Sequence, residues 1–218
     1  MSWKYILFDL DGTLTDSSEG ILNCVRYALE SYGYEIPKEE KLIEFIGPPL
    51  TTGFQQILGM EEEEAVKLTG KFRERYAVDG LFENRPYEGI KEVLEELKAA
   101  GKVLAVATSK PEKFAVRILE KFELAQYFDV IAGSLLDGTR ESKSLVIEEV
   151  FRKLKLSEED KKDIIMVGDR RQDVEGAKKC GISSLGVYYG FAFSGEHEEA
   201  GADYIIDTVP ELTNILLP

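Results

Sequence analysis

Short apolar runs alternate with helical periodicity over most of this chain. The apolar runs have the length and the β-branched content of buried strands; they cover residues 5–8, 103–107, 128–132, 164–167, 184–188 and 204–206. Stretches with apolar residues at helical spacing lie between them; these cover residues 89–100, 112–122, 142–154, 172–180 and 209–217. This alternation predicts the α/β class, with a Rossmann-like parallel sheet core and helices on both of its faces. The run at 5–8 is apolar at every position, which indicates a central strand.

The segment from 15 to 84 interrupts the alternation. Its apolar residues follow a helical period, and no comparable strand run lies among them. Pro86 and Gly89 mark the return to the alternating pattern. We therefore predict two domains, an α/β core formed by 1–14 and 85–218 and an inserted α-helical cap domain at 15–84.

The composition and the net charge of the chain limit the kinds of molecule that it is expected to bind. The 218 residues are 44% hydrophobic, enough to bury a core, and they contain no apolar run of membrane-spanning length. The formal net charge of -14 disfavours nucleic acid and anionic membranes, which attract basic proteins. The start of the chain lacks a signal-peptide pattern, and its two cysteines, Cys24 and Cys180, are far apart. We therefore expect a cytoplasmic monomer or homodimer with reduced thiols that binds neither nucleic acid nor membrane.

The histidine and cysteine content excludes several hydrolase mechanisms. The single histidine, His197, lies in a polar stretch that predicts a surface position, and no nucleophile-elbow sequence supports a Ser-His-Asp triad. Paired-histidine metal sites are excluded as well. Cysteine phosphatases carry an arginine at a fixed spacing after the thiol, and at that spacing this chain has Glu30 and Gly186. Chemistry based on carboxylates therefore remains.

Basic residues stand where an anion would bind. Five of them come close behind predicted strand ends: Lys110, Arg140, Lys143, Arg170 and Arg171. In a chain with a large excess of acidic residues, this placement predicts an anionic ligand at one local site.

Two aspartates follow the first predicted strand. Asp9 and Asp11 are two residues apart and therefore share one face at the strand end, directly before Gly12 and Thr13. Two carboxylates at one point repel each other unless a cation or a proton lies between them. An ordinary strand end, with aspartate and glycine serving the turn, is the alternative explanation.

The second predicted strand also ends in polar groups. Ligands of open parallel sheets bind beyond the carboxyl ends of the strands. Thr108, Ser109 and Lys110 follow one run, and Pro111 is predicted to open a helix whose N-terminal N–H groups could hold a phosphate. As isolated features, the hydroxyls could equally be helix caps.

The fourth strand end is acidic. Gly168 and Asp169 follow the run at 164–167, and Asp173 lies on the first turn of the next predicted helix, so the two aspartates can converge on one cation. Each could also be a capping or dipole-complementing residue. Their occurrence together with the hydroxyl and basic groups behind other strands favours a functional site.

These residues resemble the signature of the haloacid dehalogenase-like superfamily, in the phosphatase branch with a helical cap after the first motif. The match spans essentially the whole chain and comprises Asp9-Leu10-Asp11-Gly12-Thr13, Thr108, Lys143, and Gly168-Asp169 with Asp173. The resemblance implies that Asp9 is a nucleophile that forms an aspartyl-phosphate. Asp11 would protonate the leaving oxygen and then deprotonate the attacking water. Thr108 would hold a phosphoryl oxygen, and Lys143 would bridge Asp9 and the phosphate.

The resemblance also implies a magnesium ion. Asp9, Asp169 and the backbone carbonyl of Asp11 would bind Mg²⁺ directly, with Asp173 close by or bound through water. Mg²⁺ suits an all-oxygen site that also holds a phosphate. Together with Lys143 it would offset the charge of the ionised aspartates.

The expected substrate is a small phosphorylated metabolite. Gly12, Thr13, Ser109 and Lys110 would surround its phosphate. The resemblance extends to Gly133-Ser134 and Asp137-Gly138-Thr139-Arg140, which are similar to phosphoglycolate-phosphatase-like and 5'-nucleotidase-like members. We therefore favour a nucleoside 5'-monophosphate or phosphoglycolate.

The cap is expected to set the substrate preference. Its most distinctive segment is Phe45-Ile46-Gly47-Pro48-Pro49-Leu50, a stiff turn that in similar proteins contacts the substrate. Gly47 and Pro48 are the residues we expect to make this contact. A plain connection between two helices explains the segment equally well on sequence alone.

Two other functions remain open. A sugar-phosphate mutase shares all four motifs but would have to keep water away from the aspartyl-phosphate. A non-catalytic domain that only binds phosphorylated ligands is disfavoured, because no catalytic position is missing. Dehalogenases need no acid where Asp11 stands, which favours phosphoester chemistry. Ser144 follows Lys143 where many relatives have proline, and this weakens the assignment to one subgroup.

Overall fold

The computed structural model describes residues 3–137 and 139–217, so Gly138 of the segment singled out above lies outside the described residues. Contacts between Cα atoms divide the chain into two compact units. The first unit comprises Met1–Thr15 and Pro86–Pro218, and the second is Asp16–Arg85. Within the described ranges, no helix is both long and apolar enough to cross a bilayer.

Eight strands are present in the described part of the chain. They are β1 Tyr5–Phe8, β2 Thr15–Asp16, β3 Arg85–Pro86, β4 Val103–Pro111, β5 Val130–Ser134, β6 Ile164–Gly168, β7 Ser183–Val187 and β8 Tyr204–Ile206. Six of them form one sheet in the order β5-β4-β1-β6-β7-β8, and every pair of neighbours in it is parallel. The short strands β2 and β3 pair with each other at the two points where the helical insertion begins and ends.

In the residues that the structure describes, ten α-helices connect these strands or belong to the insertion. They are α1 Ser18–Ser31, α2 Glu39–Ile43, α3 Leu50–Leu58, α4 Glu62–Arg75, α5 Ile90–Ala99, α6 Glu112–Lys121, α7 Lys143–Leu154, α8 Arg171–Cys180, α9 Glu196–Ala200 and α10 Glu211–Leu216. A π-helical turn, Tyr76–Gly80, continues α4, and 3-10 turns lie at Ala125–Tyr127 and Glu158–Asp163. The predicted α/β class with a parallel sheet is confirmed.

Apolar residues on the sheet and on its helices form the core of the first unit. Strand β1 is buried along its whole length and lies between β4 and β6. Its residue Leu7 packs in one cluster with Val146 and Ile147 of α7 and with Ala177 of α8. Because both faces of β1 are covered, all four of its residues are apolar, and this explains why the sequence identifies it as central.

Strand β4 is longer than the apolar run that predicts it. It continues through Thr108 to Pro111, with an irregular register against β5 between these two residues. Helix α6 therefore begins at Glu112, and Pro111 is the residue before it, with an extended ψ of 126°. The prediction that Pro111 opens this helix is wrong by one position, and Thr108 lies within the strand.

The second unit is helical in its described residues. Phe45 and Phe54 meet edge to face with ring centroids 5.0 Å apart, and Phe72 stacks on Tyr76 at 5.2 Å. These rings are buried, so they supply the apolar centre that a small helical unit needs. The guanidinium of Arg75 donates to both carboxylate oxygens of Glu83, at 2.7 and 2.8 Å.

The single histidine is buried, and the expectation of a surface position is wrong. His197 lies on α9 and is 0% exposed. Its Nε2 is 3.1 Å from the carbonyl oxygen of Val187, and its ring meets Tyr188 edge to face. A Cβ at Gly186 would lie 2.5 Å from the imidazole, so the glycine makes room for it. The neighbours of His197 in the sequence are polar, and α9 is only five residues long, so the sequence shows no helical pattern that would predict a buried residue here.

Candidate active site

The sheet order brings the motif residues to one edge. Strand β1 has β4 on one side and β6 on the other, and Phe8 is in register with Val106 and with Val167. The residues that follow these positions therefore end at the same level of the sheet. Asp9 and Asp169 come directly behind β1 and β6, and this edge lies beyond the carboxyl ends of the strands, where parallel sheets bind ligands.

Three carboxylates form a buried cluster at this edge. One oxygen from each of Asp9, Asp169 and Asp173 lies within 4.8 Å of the other two, and all three residues are buried. Gly168 permits this approach, because a Cβ there would lie 2.1 Å from Cγ of Asp173. An oxygen cluster of this kind is the donor set that a hard divalent cation prefers.

Lys143 neutralises part of this charge. Its Nζ lies 3.0 Å from Oδ1 of Asp9 and 2.7 Å from Oδ1 of Asp173, and it donates to the carbonyl of Ala107 at 3.0 Å. The lysine is the first residue of α7, and its buried stem lies against α8 at Gly176. A Cβ at Gly176 would be 2.7 Å from Cγ of Lys143, so this glycine gives the lysine its space.

The balance of charge in the cluster remains negative. Burial, followed by the charges of Asp173 and Asp9, raises the pKa of Asp169 well above its ordinary value. Burial raises the pKa of Asp173 to about 6, against the opposing charge of Lys143. Burial works against the charged form of Lys143, but the two aspartates outweigh it and raise the lysine pKa. The residues present therefore fit a cation, because one ammonium group faces three carboxylates.

Asp11 faces a different partner. Its Oδ2 lies 2.5 Å from Nζ of Lys110, and among the described residues its buried Oδ1 has no hydrogen-bond partner. The side chain of Asp11 is not part of the three-carboxylate cluster. The contact of its backbone carbonyl with a metal remains a prediction. Thr108 is buried, and its hydroxyl accepts a hydrogen bond from the N–H of Lys110 at 3.2 Å.

Gly12 and Thr13 support Asp169 in the structure. The hydroxyl of Thr13 donates to Oδ1 of Asp169 at 3.3 Å, and Thr13 is 0% exposed. Gly12 has a left-handed φ of 81°, and a Cβ there would lie 2.0 Å from Oδ2 of Asp169. The predicted contact of both residues with the substrate remains a prediction; in the structure the Thr13 side chain has an acidic partner inside the protein.

Among the described residues, two of the five basic side chains predicted to face an anion form ion pairs with the motif aspartates. These two are Lys110 and Lys143. Arg140 instead lies 2.7 Å from Glu112 and 3.2 Å from Glu149, and Arg170 lies 3.0 Å from Glu196. Arg171 lies 3.6 Å from Glu175. The sequence places all five near strand ends but does not identify their acidic partners on other elements.

The remaining predicted substrate residues lie in two places. Ser109 is a half-buried residue within β4. Gly47 and Pro48 belong to the helical unit, between α2 and α3; Gly47 is exposed with a φ of 115°, and Pro48 is half-buried.

The sequence motifs do not identify three residues that adjoin Asp169. Tyr189, Gly190 and Phe191 follow strand β7, and the N–H of Phe191 donates to Oδ2 of Asp169 at 2.9 Å. The only local signal is a glycine between two aromatic residues directly behind a predicted strand, at the edge of the sheet that carries the other motifs.

Comparison with known proteins identifies a family and several relatives of this chain. A family model described as haloacid dehalogenase-like hydrolase matches residues 6–187. A 5'-nucleotidase from Pseudomonas aeruginosa is 44% identical over 196 residues, which are 90% of this chain and 87% of that protein. A phosphoglycolate phosphatase from Vibrio parahaemolyticus is 30% identical, and the match covers 98% of this chain and 96% of that protein. A crystal structure of a predicted phosphatase from Clostridium acetobutylicum is 44% identical, with a TM-score of 0.94, and covers 100% of this chain and 99% of that one.

Proposed function

This chain belongs to the haloacid dehalogenase-like hydrolases and is a phosphatase of that family, and we propose that it hydrolyses small phosphomonoesters through a phosphorylated Asp9. The observation that carries the proposal is the position of Asp9. Its carboxylate lies 3.0 Å from the buried ammonium of Lys143 and adjoins Asp169 and Asp173. A carboxylate beside fixed positive charge can approach an anionic phosphate that would otherwise repel it.

The proposed reaction has two steps. In the first, a carboxylate oxygen of Asp9 forms a bond to phosphorus while the bond from phosphorus to the leaving oxygen breaks, and Asp11 gives that oxygen a proton. In the second, the oxygen of water forms a bond to phosphorus while the bond from phosphorus to Asp9 breaks, and Asp11 takes a proton from the water. Inorganic phosphate is released, and the Asp9 carboxylate is regenerated. Thr108 and Lys143 hold the phosphoryl oxygens during both steps.

We propose that Asp9, Asp169 and Asp173 hold Mg²⁺, together with the backbone carbonyl of Asp11. The fit rests on the all-oxygen donor set and on the environment of Asp169, whose pKa is raised by burial and then by the charges of Asp173 and Asp9. When bound, the ion would screen the aspartates and the phosphate from each other.

The substrates that we favour are nucleoside 5'-monophosphates and phosphoglycolate. Relatives with both kinds of name cover nearly the whole chain, and this supports a small phosphorylated metabolite without choosing between the two. Initial rates of phosphate release on a panel of both, with sugar phosphates added, would rank them. A sugar-phosphate mutase would instead yield an isomerised sugar phosphate with slow release of phosphate, which phosphorus NMR distinguishes.

Removal of metal tests the proposed function. Excess EDTA should lower hydrolysis of p-nitrophenyl phosphate by at least about a hundredfold, because the buried aspartates would then repel the substrate. Mg²⁺ added beyond the chelator should restore the rate. Circular dichroism in EDTA controls for unfolding. Full activity of a folded protein in excess chelator would refute the metal-assisted mechanism.

The loop with Gly47 and Pro48 is proposed to select the substrate. Exchange of Pro48 for alanine should change the ratio of kcat/KM between the preferred metabolite and p-nitrophenyl phosphate by about tenfold, the scale of one lost contact. The unit should stay folded, because the neighbouring Phe45 and Ile46 supply the buried contacts.

The matched control is Pro37→Ala, another half-buried loop proline of the same unit. It should leave the ratio of kcat/KM unchanged. If Pro48→Ala reduces kcat/KM equally on both substrates, the loop has a structural role and the proposed selection is wrong.

A further inference from the structure

The segment that follows strand β7 adjoins the carboxylate cluster. We call residues 188–196, which connect β7 to α9, the strap. The N–H of Phe191, within the strap, donates to Oδ2 of Asp169 at 2.9 Å, and the hydroxyl of Thr13, in the loop behind β1, donates to Oδ1 at 3.3 Å. Each oxygen of a fully buried carboxylate thus has one donor, and the plane of the carboxylate is held from both ends.

Gly190 allows the strap to come this close. A Cβ at this position would lie 2.1 Å from the carbonyl oxygen of Gly12 and 2.5 Å from Cβ of Asp169. The obstacles are a backbone atom and an atom next to the backbone, so neither can move as the end of a flexible side chain would. Any larger residue must therefore push the strap away from Asp169.

Both ends of the strap are fastened to elements that carry the other site residues. The hydroxyl of Tyr189 donates to the carbonyl of Thr13 at 3.0 Å, in the loop behind β1. At the other end, Oε2 of Glu196 accepts from the N–H of Phe193 at 3.0 Å. Its Oε1 accepts from the N–H of Arg171 at 2.7 Å and from Nε of Arg170 at 3.0 Å.

These contacts span the whole cation site. The loop behind β1 carries Asp9, and Arg171 begins α8, which carries Asp173. The strap therefore touches Asp169 directly and is tied to the elements of the other two carboxylates. Hydrogen-bond partners of metal-binding carboxylates typically set metal affinity, because they hold the ligand in its binding orientation.

From this geometry we infer that the strap is a positioning element for Asp169 and that Gly190 is its key residue, setting the affinity for the divalent cation. The inference rests on the proposed function, in which Asp169 is a metal-binding residue. No strap residue acts on phosphorus or on the leaving group. The strap should therefore govern the Mg²⁺ dissociation constant and leave the KM of an aryl phosphate at saturating Mg²⁺ nearly unchanged.

The test is a calorimetric titration of the full chain with MgCl₂, without substrate. Gly190→Ala should raise the Mg²⁺ dissociation constant by at least about tenfold. The control is Gly101→Ala in the same unit, in the turn before β4 and hence beyond the opposite end of that strand from Thr108. Gly101 has a left-handed φ of 76° and nothing within 4 Å of an added Cβ. This variant should lower the melting temperature at most and bind Mg²⁺ as the wild type does.

A second variant keeps the inference open to refutation if Gly190→Ala fails to fold. Tyr189→Phe removes only the hydroxyl that holds the strap to Thr13, and it should raise the dissociation constant in the same direction by a smaller factor. Wild-type affinity in the folded variants would overturn the role of the strap while leaving the proposed function intact. A wild-type protein that binds no Mg²⁺ would overturn both.

Discussion

Replacing Asp9 with asparagine is expected to lower turnover by at least about a thousandfold while the protein stays folded, the scale on which covalent catalysts lose rate without their nucleophile. Asparagine has nearly the same shape but no anionic oxygen that could attack phosphorus. It can still accept the bonds that the Leu10 N–H and the Lys143 ammonium direct to Oδ1, at 2.7 and 3.0 Å. The loss should therefore come from chemistry and not from structure.

The stability of the Asp9→Asn protein should equal or exceed that of the wild type. Burial is the largest cause of the raised pKa of Asp169, and the charges of Asp173 and Asp9 raise it further. The three carboxylates therefore repel one another in the folded state. Removing one of the charges relieves part of that repulsion. A higher or unchanged melting temperature together with lost turnover would separate the catalytic role of Asp9 from any structural one.

The measurements for this variant are initial rates on p-nitrophenyl phosphate at saturating Mg²⁺ and thermal melts followed by circular dichroism. Asp79→Asn is the control, since Asp79 is an exposed aspartate of the helical unit, and it should retain wild-type turnover. Intact-mass spectrometry after an acid quench should detect phosphorylated wild-type protein and none in Asp9→Asn. Turnover that survives the substitution would remove Asp9 as the nucleophile.

Lys143→Met is expected to have the second large effect, on stability as well as on rate. The side chain of Lys143 is 3% exposed, and its ammonium lies between Asp9 and Asp173. Methionine fills a similar volume but leaves the aspartates without their buried counter-charge. Breaking a buried ion pair from one side typically costs about 3–5 kcal/mol of unfolding free energy. Turnover should also fall below detection, because the ammonium group that helps to offset the charge of the phosphate beside Asp9 would be missing.

Urea denaturation at neutral pH measures the stability loss in this variant. Lys153→Met is the control on the same helix: Lys153 pairs with Glu112 at 3.1 Å, but its side chain is partly solvated, so the cost should be much smaller. Added Mg²⁺ should recover part of the stability of Lys143→Met, since a cation can supply the missing charge. Equal urea midpoints for Lys143→Met and the wild type would show that the lysine does not balance the cluster.

The sequence predicts the regular elements well because their signals are local. The apolar run at β1 identifies a central strand, and the alternation of strand and helix periods identifies the parallel sheet. Boundaries are less accurate where two signals overlap. Thr108 lies within β4 although the apolar run ends at Ala107, because a polar residue can extend a strand at the rim of a sheet where its side chain meets other polar groups.

The partners of charged residues are not visible in the sequence in the same way. Arg140 and Arg170 stand behind strands just as Lys110 and Lys143 do, yet the two arginines pair with glutamates that are distant in sequence. His197 is buried although its neighbours in the sequence are polar. The partners of the arginines and the burial of the histidine depend on which helices and strands pack together. A short stretch of sequence does not show this packing.

The sequence by itself determined the fold class, the family and the set of acidic and basic residues at the strand ends, because spacing along the chain decides which residues face one side of a strand or begin a helix. Only the tertiary structure decided how they combine. It places Lys143 between Asp9 and Asp173, pairs Asp11 with Lys110, and brings Gly190 against Asp169. These contacts arise because the sheet order places β4 and β6 on either side of β1. This order brings together segments that are far apart in the chain.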